Sequence, residues 1–573
     1  MRTGWSWLVA SALACGAVAG VVATPRTARA CGCFALPSPA TPVIQAGERI
    51  LFAKDGSDVV AVIQVQYQGA ADRFAWLVPL PAVPRVELGT DEVFTQLDRV
   101  TQPEFRLTTE VIRCDGTVSR TSGGFGCSAD SAANGGDNFT RVGDMGAAAD
   151  AGSLLVAQAA VGPYEYAVLK ADDRTELLQW LSDNRYFVPT GTDDALAPYI
   201  RPGAYFLAIK LRSGESTGDL VPIVLRYTAD LPMIPIMLTA VGAVPNMGIL
   251  VYVLGESRAI PRNYYHSVAN ELPYWLGEST YQRIIIKAAA EAPEHHTFFT
   301  QYAGRGAGPT VSAALGSATR FGNKATLKTF TDPSQYLREL RLAGFNFSDG
   351  ALLSLLLRYI PMPANLPVPG LSPGQFYSSY DYYISLAAPD GDVDGGVAPT
   401  PFDPVGLTDE IWTRIVEPTR ATQALFATRP YLTRLYTVLS PADMTKDPVF
   451  SFARNQPEVA SVRTATATLP CRGQSWITTD QGLTSYASAR YASTAMPASL
   501  RIEVLSEELP PQVITDNQAT TTQIIGPVVE NRSTDRGAGC ACDATGTSPL
   551  SAGATLLLAA AALGLATRRA RRR

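Results

Sequence analysis

The stretch 48-ERILFAKDGSDVVAVIQVQYQ-68 decides the fold, because two apolar runs flank the turn residues DGSD. In the second run, even-numbered positions from Val60 to Gln66 alternate with odd-numbered positions from Ala61 to Tyr67, which is the period of a β-strand. The stretch therefore predicts an antiparallel hairpin. We expect a second strand pair across QGAAD at 68–72, ending in FAWLVPLP at 74–81.

Helix signals follow downstream, where a capping residue precedes apolar residues spaced three and four apart. The segments are TDEVFTQLDRV at 90–100, ADDRTELLQWLSDN at 171–184, TDPSQYLRELRLAGF at 331–345 and SDGALLSLLLRYIP at 348–361. Strands and helices in this irregular order predict an α+β fold. We expect an antiparallel β-rich N-terminal region with interspersed helices.

The first 30 residues, MRTGWSWLVASALACGAVAGVVATPRTARA, have the order of an export signal. Arg2 supplies a positive charge before an apolar run, and the small residues of ARA suit a signal peptidase. We therefore expect residues 1–30 to be a signal peptide and the mature chain to begin at Cys31. A lipoprotein cysteine at Cys15 and an uncleaved anchor are the alternatives.

The other end of the chain combines an apolar segment with a cluster of arginines. Residues 550–566 are 17 uncharged residues, at the short limit for crossing a bilayer as a helix. We expect a transmembrane or sorting helix over 549–567. The arginine-rich residues 568–573 then lie on the cytoplasmic side by the positive-inside rule.

Two cysteines, Cys540 and Cys542, precede that segment in AGCACD. Cysteine, short spacer, apolar helix and arginine cluster in this order resemble the MYXO-CTERM sorting tail of myxobacterial and related surface proteins. The resemblance implies that a membrane protease removes the helix near these cysteines, leaving the body attached to lipid at the outer surface. A retained helix would instead hold the body at the inner membrane, facing the periplasm.

The body between the two ends is acidic. The whole chain has a formal charge of -5, whereas residues 31–542 alone carry about -12. Nucleic-acid binding depends on neutralising phosphates, so this balance argues against a nucleic-acid partner. We expect an exported body over 31–388 with a possible internal linker at 128–153, a second part of the body at 405–509, and a stalk at 510–548.

Export would place the cysteines in an oxidising compartment, where disulfides are the usual state. The candidates in the body are Cys31, Cys33, Cys114, Cys127 and Cys471. Cys114 and Cys127 bracket a glycine-rich loop, which favours that pair, and Cys471 is the obvious distant partner for the cysteines of CGCF. The chain has 3 histidines, none at metal-ligand spacing with a cysteine, so the sequence predicts no metal and no cofactor.

Several blocks in one order carry a second resemblance. They are CGCF at 31–34, RILFA at 49–53, VVAVIQVQYQG at 59–69, FAWLVPLPAVP at 74–84, YEYAVLKADDRTELLQWLSDNRYFVP at 164–189, YIRPGAYFLAIKL at 199–211 and PYLTRLYTVLSPADMTKDPVF at 430–450. They resemble the exported bacterial family catalogued as domain of unknown function 2330. That resemblance implies no reaction, cofactor or catalytic residue.

Catalytic signatures are missing from the sequence: it contains no Walker loop, HExxH, GxSxG or dinucleotide fingerprint. We therefore expect a non-catalytic surface protein that binds a glycan or protein partner or has a structural role. The run QFYSSYDYYISL at 375–386 suits carbohydrate stacking, and a strand that buries alternate tyrosines is the plainer interpretation. The alternative function is an extracytoplasmic enzyme using thiol-disulfide chemistry at Cys31 and Cys33.

Overall fold

The computed structural model describes residues 44–68, 75–123, 154–184, 186, 191–212, 220–316, 321–364, 366–387, 402–486 and 496–525. Several predictions concern segments outside these residues: the signal peptide, the linker at 128–153, the helix at 549–567 and the arginines at 568–573. In the part of the chain that the structure describes, no helix combines the length and hydrophobicity needed to span a bilayer.

Strands occur throughout the described body. In chain order they are β1 (Ile44–Asp55), β2 (Asp58–Gln68), β3 (Ala75–Leu80), β4 (Arg85–Leu88), β5 (Glu104–Ile112), β6 (Val118–Gly123), β7 (Leu155–Val161), β8 (Tyr164–Lys170), β9 (Tyr205–Leu211), β10 (Ile223–Thr228), β11 (Met247–Gly255), β12 (Arg258–Pro261), β13 (Tyr265–Ala269), β14 (Thr297–Gly304), β15 (Tyr431–Leu439), β16 (Phe450–Ala453), β17 (Val462–Leu469), β18 (Trp476–Thr479), β19 (Thr484–Tyr486), β20 (Ser499–Val504) and β21 (Gln512–Asp516).

The α-helices lie between them. They are α1 (Asp91–Thr101), α2 (Arg174–Asp183), α3 (Thr192–Leu196), α4 (Ile236–Thr239), α5 (Leu272–Trp275), α6 (Tyr281–Glu291), α7 (Ala307–Leu315), α8 (Lys324–Leu327), α9 (Pro333–Leu342), α10 (Gly350–Tyr359), α11 (Pro373–Ser378), α12 (Tyr380–Ala387), α13 (Pro404–Ile411), α14 (Glu417–Ala427) and α15 (Gln518–Ile525). A π-helical turn, Trp412–Val416, joins α13 to α14.

Among the described strands, ten form a central sheet in the order β21-β20-β13-β14-β15-β11-β1-β2-β10-β4. A four-stranded sheet has the order β3-β9-β8-β7, and a five-stranded sheet has the order β19-β18-β17-β5-β6. Strands β12 and β16 pair separately. Sheets and helices in this irregular succession make the fold α+β, as predicted, with parallel pairs such as β1–β11 beside the antiparallel ones.

The hairpin predicted from 48–68 is confirmed. Strands β1 and β2 pair antiparallel from Asp55 and Asp58 outward, and Gly56 takes the positive φ of 60° that the tight turn requires. Residues 59–63 are buried on both faces of the sheet, since both faces are covered by other layers. The hairpin therefore lies in the centre of the core.

The expected pairing of β2 with β3 across QGAAD is wrong. Strand β3 pairs with β9 in the four-stranded sheet, whereas the free edge of β2 is taken by β10. Once β10 occupies that edge, β3 has to join another sheet. This places the apolar side chains of β3 across from β1 and β2, where Trp76 and Val78 join the same buried cluster as Ile50.

Each predicted helix is present, with its expected cap. The side chains of Thr90, Asp173, Asp332 and Asp349 each accept a hydrogen bond from a backbone N–H in the first turn of α1, α2, α9 and α10 respectively. Helices α1, α7 and α14 pack together and cover the face of the central sheet opposite to β3. The central sheet is thus enclosed by a sheet on one side and by helices on the other.

The tyrosine run at 375–386 is helical, so the strand interpretation is wrong. Ser372 forms a capping box with Gln375, and Pro373 occupies the first turn, which starts α11. Tyr377 is fully buried in the core of a helical lobe formed by α8 to α13, whereas Tyr382 is exposed. Helical spacing therefore divides the tyrosines between the core and the surface.

The segments expected as separate stretches of the body share one sheet. Strand β15, from the second part at 405–509, lies between β14 and β11. Residues 512–516, within the expected stalk, form β21 and pair with β20 at the edge of the central sheet. Ordered structure therefore continues past residue 510.

Candidate functional site

A cavity of about 180 Å³ lies between the central sheet and β3. We call it the Glu48 cavity. The central sheet contributes Glu48, Ile50, Phe52, Ala61, Ile63, Leu225 and Tyr227, β3 and its end contribute Trp76, Val78, Pro79, Leu80 and Pro81, and the loop after β10 contributes Ala229, Leu231, Met233, Ile234 and Pro235. The lining is almost wholly apolar, which is typical of small-molecule sites.

The period of two in the strands places these side chains on one face. Glu48, Ile50 and Phe52 alternate along β1, and their neighbours across the sheet are Val65, Ile63 and Ala61 in turn. A register shift between Gln45 and Glu48 indicates a β-bulge next to the carboxyl. Bulges re-aim side chains and are common beside functional sites.

Register also gives the cavity a direction. The loop over 229–235 follows Thr228, which pairs with Asp58 at the turn of the β1–β2 hairpin. Glu48 pairs with Val65, seven positions further along β2. The carboxyl therefore lies at one end of the cavity, and the loop that completes its wall lies at the other.

Glu48 is a buried carboxyl without compensation. Its exposed fraction is 6%, and burial raises its pKa to about 7. Its Oε2 atom has no hydrogen-bond partner among the described residues. Burying a polar atom without a partner costs free energy, and a strongly perturbed carboxyl inside a cavity indicates a functional site.

The opposite face of β1 carries the contrasting case. Arg434 donates from Nη1 to Asp98 Oδ1 at 2.7 Å and to the Tyr252 hydroxyl at 2.9 Å, and from Nε to Gln301 Oε1 at 2.8 Å. Arg49 lies 3.5 Å from the same aspartate. We call this the Arg434 network. Because its charges are paired, it holds α1 to β1, β11, β14 and β15.

A second buried row has the order of a catalytic triad. His266 Nδ1 lies 2.9 Å from Glu503 Oε1, and His266 Nε2 lies 3.0 Å from the Thr300 hydroxyl. Burial lowers the pKa of His266; burial opposes ionisation of Glu503, but His266 and Arg501 outweigh it and hold that pKa below its usual value.

Arg258 changes how this row is interpreted. Its Nη2 donates to the Thr300 hydroxyl at 2.9 Å, and its Nη1 donates to the backbone oxygen of Pro457 at 3.0 Å. None of His266, Thr300 and Glu503 lines the Glu48 cavity or the shallow groove of about 380 Å³ beside α3 and α4. The row therefore ties β12, β13, β14 and β20 together, and we assign it a structural role.

The favoured disulfide is wrong: Cys114 is bonded to Cys471, not to Cys127. These cysteines follow β5 and β17, which are parallel neighbours with Val111 opposite Leu469, so the two strand ends lie side by side. The Cα atoms are 5.0 Å apart across a sequence separation of 357 residues. Sequence proximity suggested the pair with Cys127, and sheet register decides against it.

The other predicted site residues lie outside the described residues. These are Cys31, Cys33 and Cys127 in the body and Cys540 and Cys542 in the tail. Glu48 was missed by sequence reasoning, although its signal is present in ERILF. An acidic residue there shares a strand face with Ile50 and Phe52, whose burial the pattern predicts.

A family model described as "Uncharacterized protein conserved in bacteria (DUF2330)" matches residues 26–344, more than half of the chain. The chain belongs to this family. The DUF2330 match includes β1, β2, β3 and β10, and therefore the Glu48 cavity, but it ends before β15. No curated protein and no solved structure is significantly similar to the chain.

Proposed function

We propose that this DUF2330 protein is exported, anchored at the cell envelope and non-catalytic, and that its body binds a small ligand in the Glu48 cavity. The observation that carries the proposal is a cavity whose described lining is largely apolar and has one carboxyl, Glu48, at one end. A few polar groups in an apolar cavity provide orientation and specificity for a ligand.

The composition of the lining favours binding over catalysis. Within the part of the lining that the structure describes, the titratable residues are Glu48 and Tyr227, with no second carboxyl, histidine or cysteine. General acid-base or nucleophilic catalysis requires partners within hydrogen-bonding reach. A lone carboxyl instead suits recognition of a polar group on a ligand.

Export and anchoring are supported by features far from the cavity. The signal-like residues 1–30 and the tail over 549–573 flank the body. The Cys114–Cys471 bond fits an oxidising compartment, since such bonds are rare in the cytosol. We propose that a signal peptidase makes the amino terminus at Cys31 and that a sorting protease leaves the body attached to lipid at Cys540 or Cys542.

Peptide mass spectrometry of the protein from its native membranes tests the proposed export and anchoring. We expect an amino terminus at Cys31, a modified carboxyl-terminal cysteine and no peptides from the apolar segment. An intact arginine tail would assign the protein to the inner membrane, facing the periplasm. Free and reactive Cys31 or Cys33 thiols would support the alternative of thiol-disulfide chemistry.

Binding is tested with an uncharged linear ligand, octanol, titrated calorimetrically into the full exported chain. We expect saturable binding, and we expect Ala61→Leu to abolish it because Ala61 is buried and lines the cavity. Ala167→Leu, in the buried core beside α2, controls for a general effect of a larger side chain. Equal octanol binding by the parent and by Ala61→Leu would contradict the proposal.

A further inference from the structure

We infer that the Glu48 cavity binds a narrow aliphatic amine, with its ammonium group at Glu48 and its hydrocarbon chain along β1. This inference rests on the proposed function, because it names the ligand class of the same cavity. The charge and position of Glu48, the register of the sheet and the composition of the lining carry it.

The shape of the cavity indicates an elongated ligand. Glu48 and Phe52 are four residues apart on one face of β1, which corresponds to about 13 Å at the rise of a β-strand. A volume of about 180 Å³ spread over that length favours one unbranched chain over a broad, fused-ring ligand. Ile50, Ala61 and Ile63 supply apolar walls along the way.

The chemistry at the Glu48 end of the cavity indicates a cationic head group. Oε2 of Glu48 has no partner among the described residues, and an ammonium group would donate a charge-assisted hydrogen bond to it. Among the described residues the lining contains no lysine, arginine or histidine, so an anionic head group would meet the Glu48 carboxyl and no compensating charge from them. An alcohol can donate to the same oxygen, but without the attraction between opposite charges.

The whole body favours the same sign of charge. Residues 31–542 carry about -12, and an acidic surface raises the local concentration of cations and repels anions. The net charge of the body and the Glu48 carboxyl therefore both favour a cationic ligand. Half-buried Leu231 and Met233 and the exposed Pro81 mark where the lining reaches the surface.

Three ligands with one chain length separate the head groups: octylamine, octanol and octanoate, titrated calorimetrically into the full exported chain. We expect octylamine to bind at least about tenfold more tightly than octanol, and octanoate more weakly than either. Glu48→Gln should lower octylamine affinity to the level of octanol while changing octanol affinity less than about twofold. Glu165→Gln, an exposed carboxyl on β8 with 44% side-chain exposure, should behave as the parent.

Proton release gives a second readout. At pH 6 the free Glu48 is mainly protonated, because burial raises its pKa to about 7, and a bound ammonium group favours the carboxylate. Titrations in buffers of different ionisation enthalpy should show proton release with octylamine by the parent and none by Glu48→Gln. Tyr227, the other titratable lining residue, is neutral at this pH, since burial raises its pKa.

Failure of this inference can be distinguished from failure of the proposed function. If octanol binds but octylamine has no advantage, or if Glu48→Gln leaves octylamine affinity unchanged, the amine is wrong and the cavity remains a binding site. If octanoate binds most tightly, the sign of the head group is wrong. If none of the three ligands binds to the folded parent, the proposed function itself is wrong.

Discussion

Glu48 and Arg49 are neighbours in β1, yet their side chains lie in opposite kinds of environment. Arg49 approaches Asp98 at the edge of the Arg434 network. There, Arg434 donates from Nε to Gln301 and from Nη1 to Asp98. Glu48 is more buried and has an oxygen without a partner among the described residues. One face of the strand uses charge to hold elements together, and the other keeps a charge that destabilises the fold.

The difference indicates where to look for function in a protein whose family match implies no activity. Satisfied buried polar groups are the rule in native structures, so the Arg434 network requires no explanation beyond stability. An unsatisfied one persists where it serves a purpose other than stability. The following predictions, in order of expected size, test whether the two faces really differ in this way.

Arg434→Met should have the largest effect. It removes the cation from a site where Arg434 is 7% exposed, so that Gln301 loses its donor and Asp98 keeps, among the described residues, only Arg49 at 3.5 Å and the Tyr252 hydroxyl. We expect the free energy of unfolding in urea to fall by about 3–5 kcal/mol, the range for breaking one side of a buried pair. The matched control is Arg338→Met, whose side chain is 66% exposed, and a loss of similar size there would remove the contrast.

Glu48→Leu should act in the opposite direction. Replacing the buried carboxyl by an apolar side chain removes the cost of desolvating it, so we expect the protein to become more stable by about 1–3 kcal/mol at pH 8. Urea unfolding of parent and variant at that pH measures the change. Destabilisation would mean that Glu48 has a structural partner and belongs with the Arg434 network.

The pH dependence of this gain has a definite sign. Burial raises the pKa of Glu48 from 4.5 to about 7, so the stability of the parent falls as the pH rises between these values. The gap between Glu48→Gln and the parent should therefore open by about 1.4 kcal/mol per pH unit at most and level off above pH 7. Glu271 and Asp349, whose pKa values burial also raises to about 7, contribute equally to both proteins.

Unfolding measurements from pH 4.5 to 8.5 check this window. A gap that stays constant across the window would show that Glu48 ionises normally in the folded protein. The same series on Glu165→Gln, which changes an exposed carboxyl on β8, is the matched control.

Tyr252→Phe should have the smallest effect. The hydroxyl donates to Asp98 at 2.7 Å and accepts from Arg434 at 2.9 Å, but the remaining partners of both charges stay in place. We expect a loss of about 1 kcal/mol, as for one hydrogen bond. A loss as large as that of Arg434→Met would mean that the network acts as one cooperative unit, which a double-mutant cycle with Arg434→Met would measure.

Local sequence was sufficient for features that depend on near neighbours. The hairpin at 48–68 and the caps at Thr90, Asp173, Asp332 and Asp349 follow from turn and capping chemistry within a few residues. The strand interpretation of 375–386 overlooked a local signal, the capping box of Ser372 and Gln375. The other wrong predictions concern partners far along the chain. Cys471 reaches Cys114 through the parallel register of β5 and β17, and no local pattern states which strands become neighbours.

The candidate site shows the same division. That Glu48 shares a strand face with Ile50 and Phe52 follows from the period of two, so its burial was within reach of sequence reasoning. Its lack of a hydrogen-bond partner at Oε2 among the described residues could not be predicted in this way. The loop over 229–235 and strand β3 complete the wall of the cavity around it. Both come from other parts of the chain, and their arrangement depends on β3 leaving β2 for β9.

The position of β15 has a consequence for how the molecule is made. This strand, at residues 431–439, fills the space between β14 and β11, so both of those strands have an unpaired edge until it arrives. Exposed edges of apolar strands recruit other chains. We therefore expect these edges to need protection from other chains, for example by a chaperone, over the time needed to make more than a hundred residues after β14.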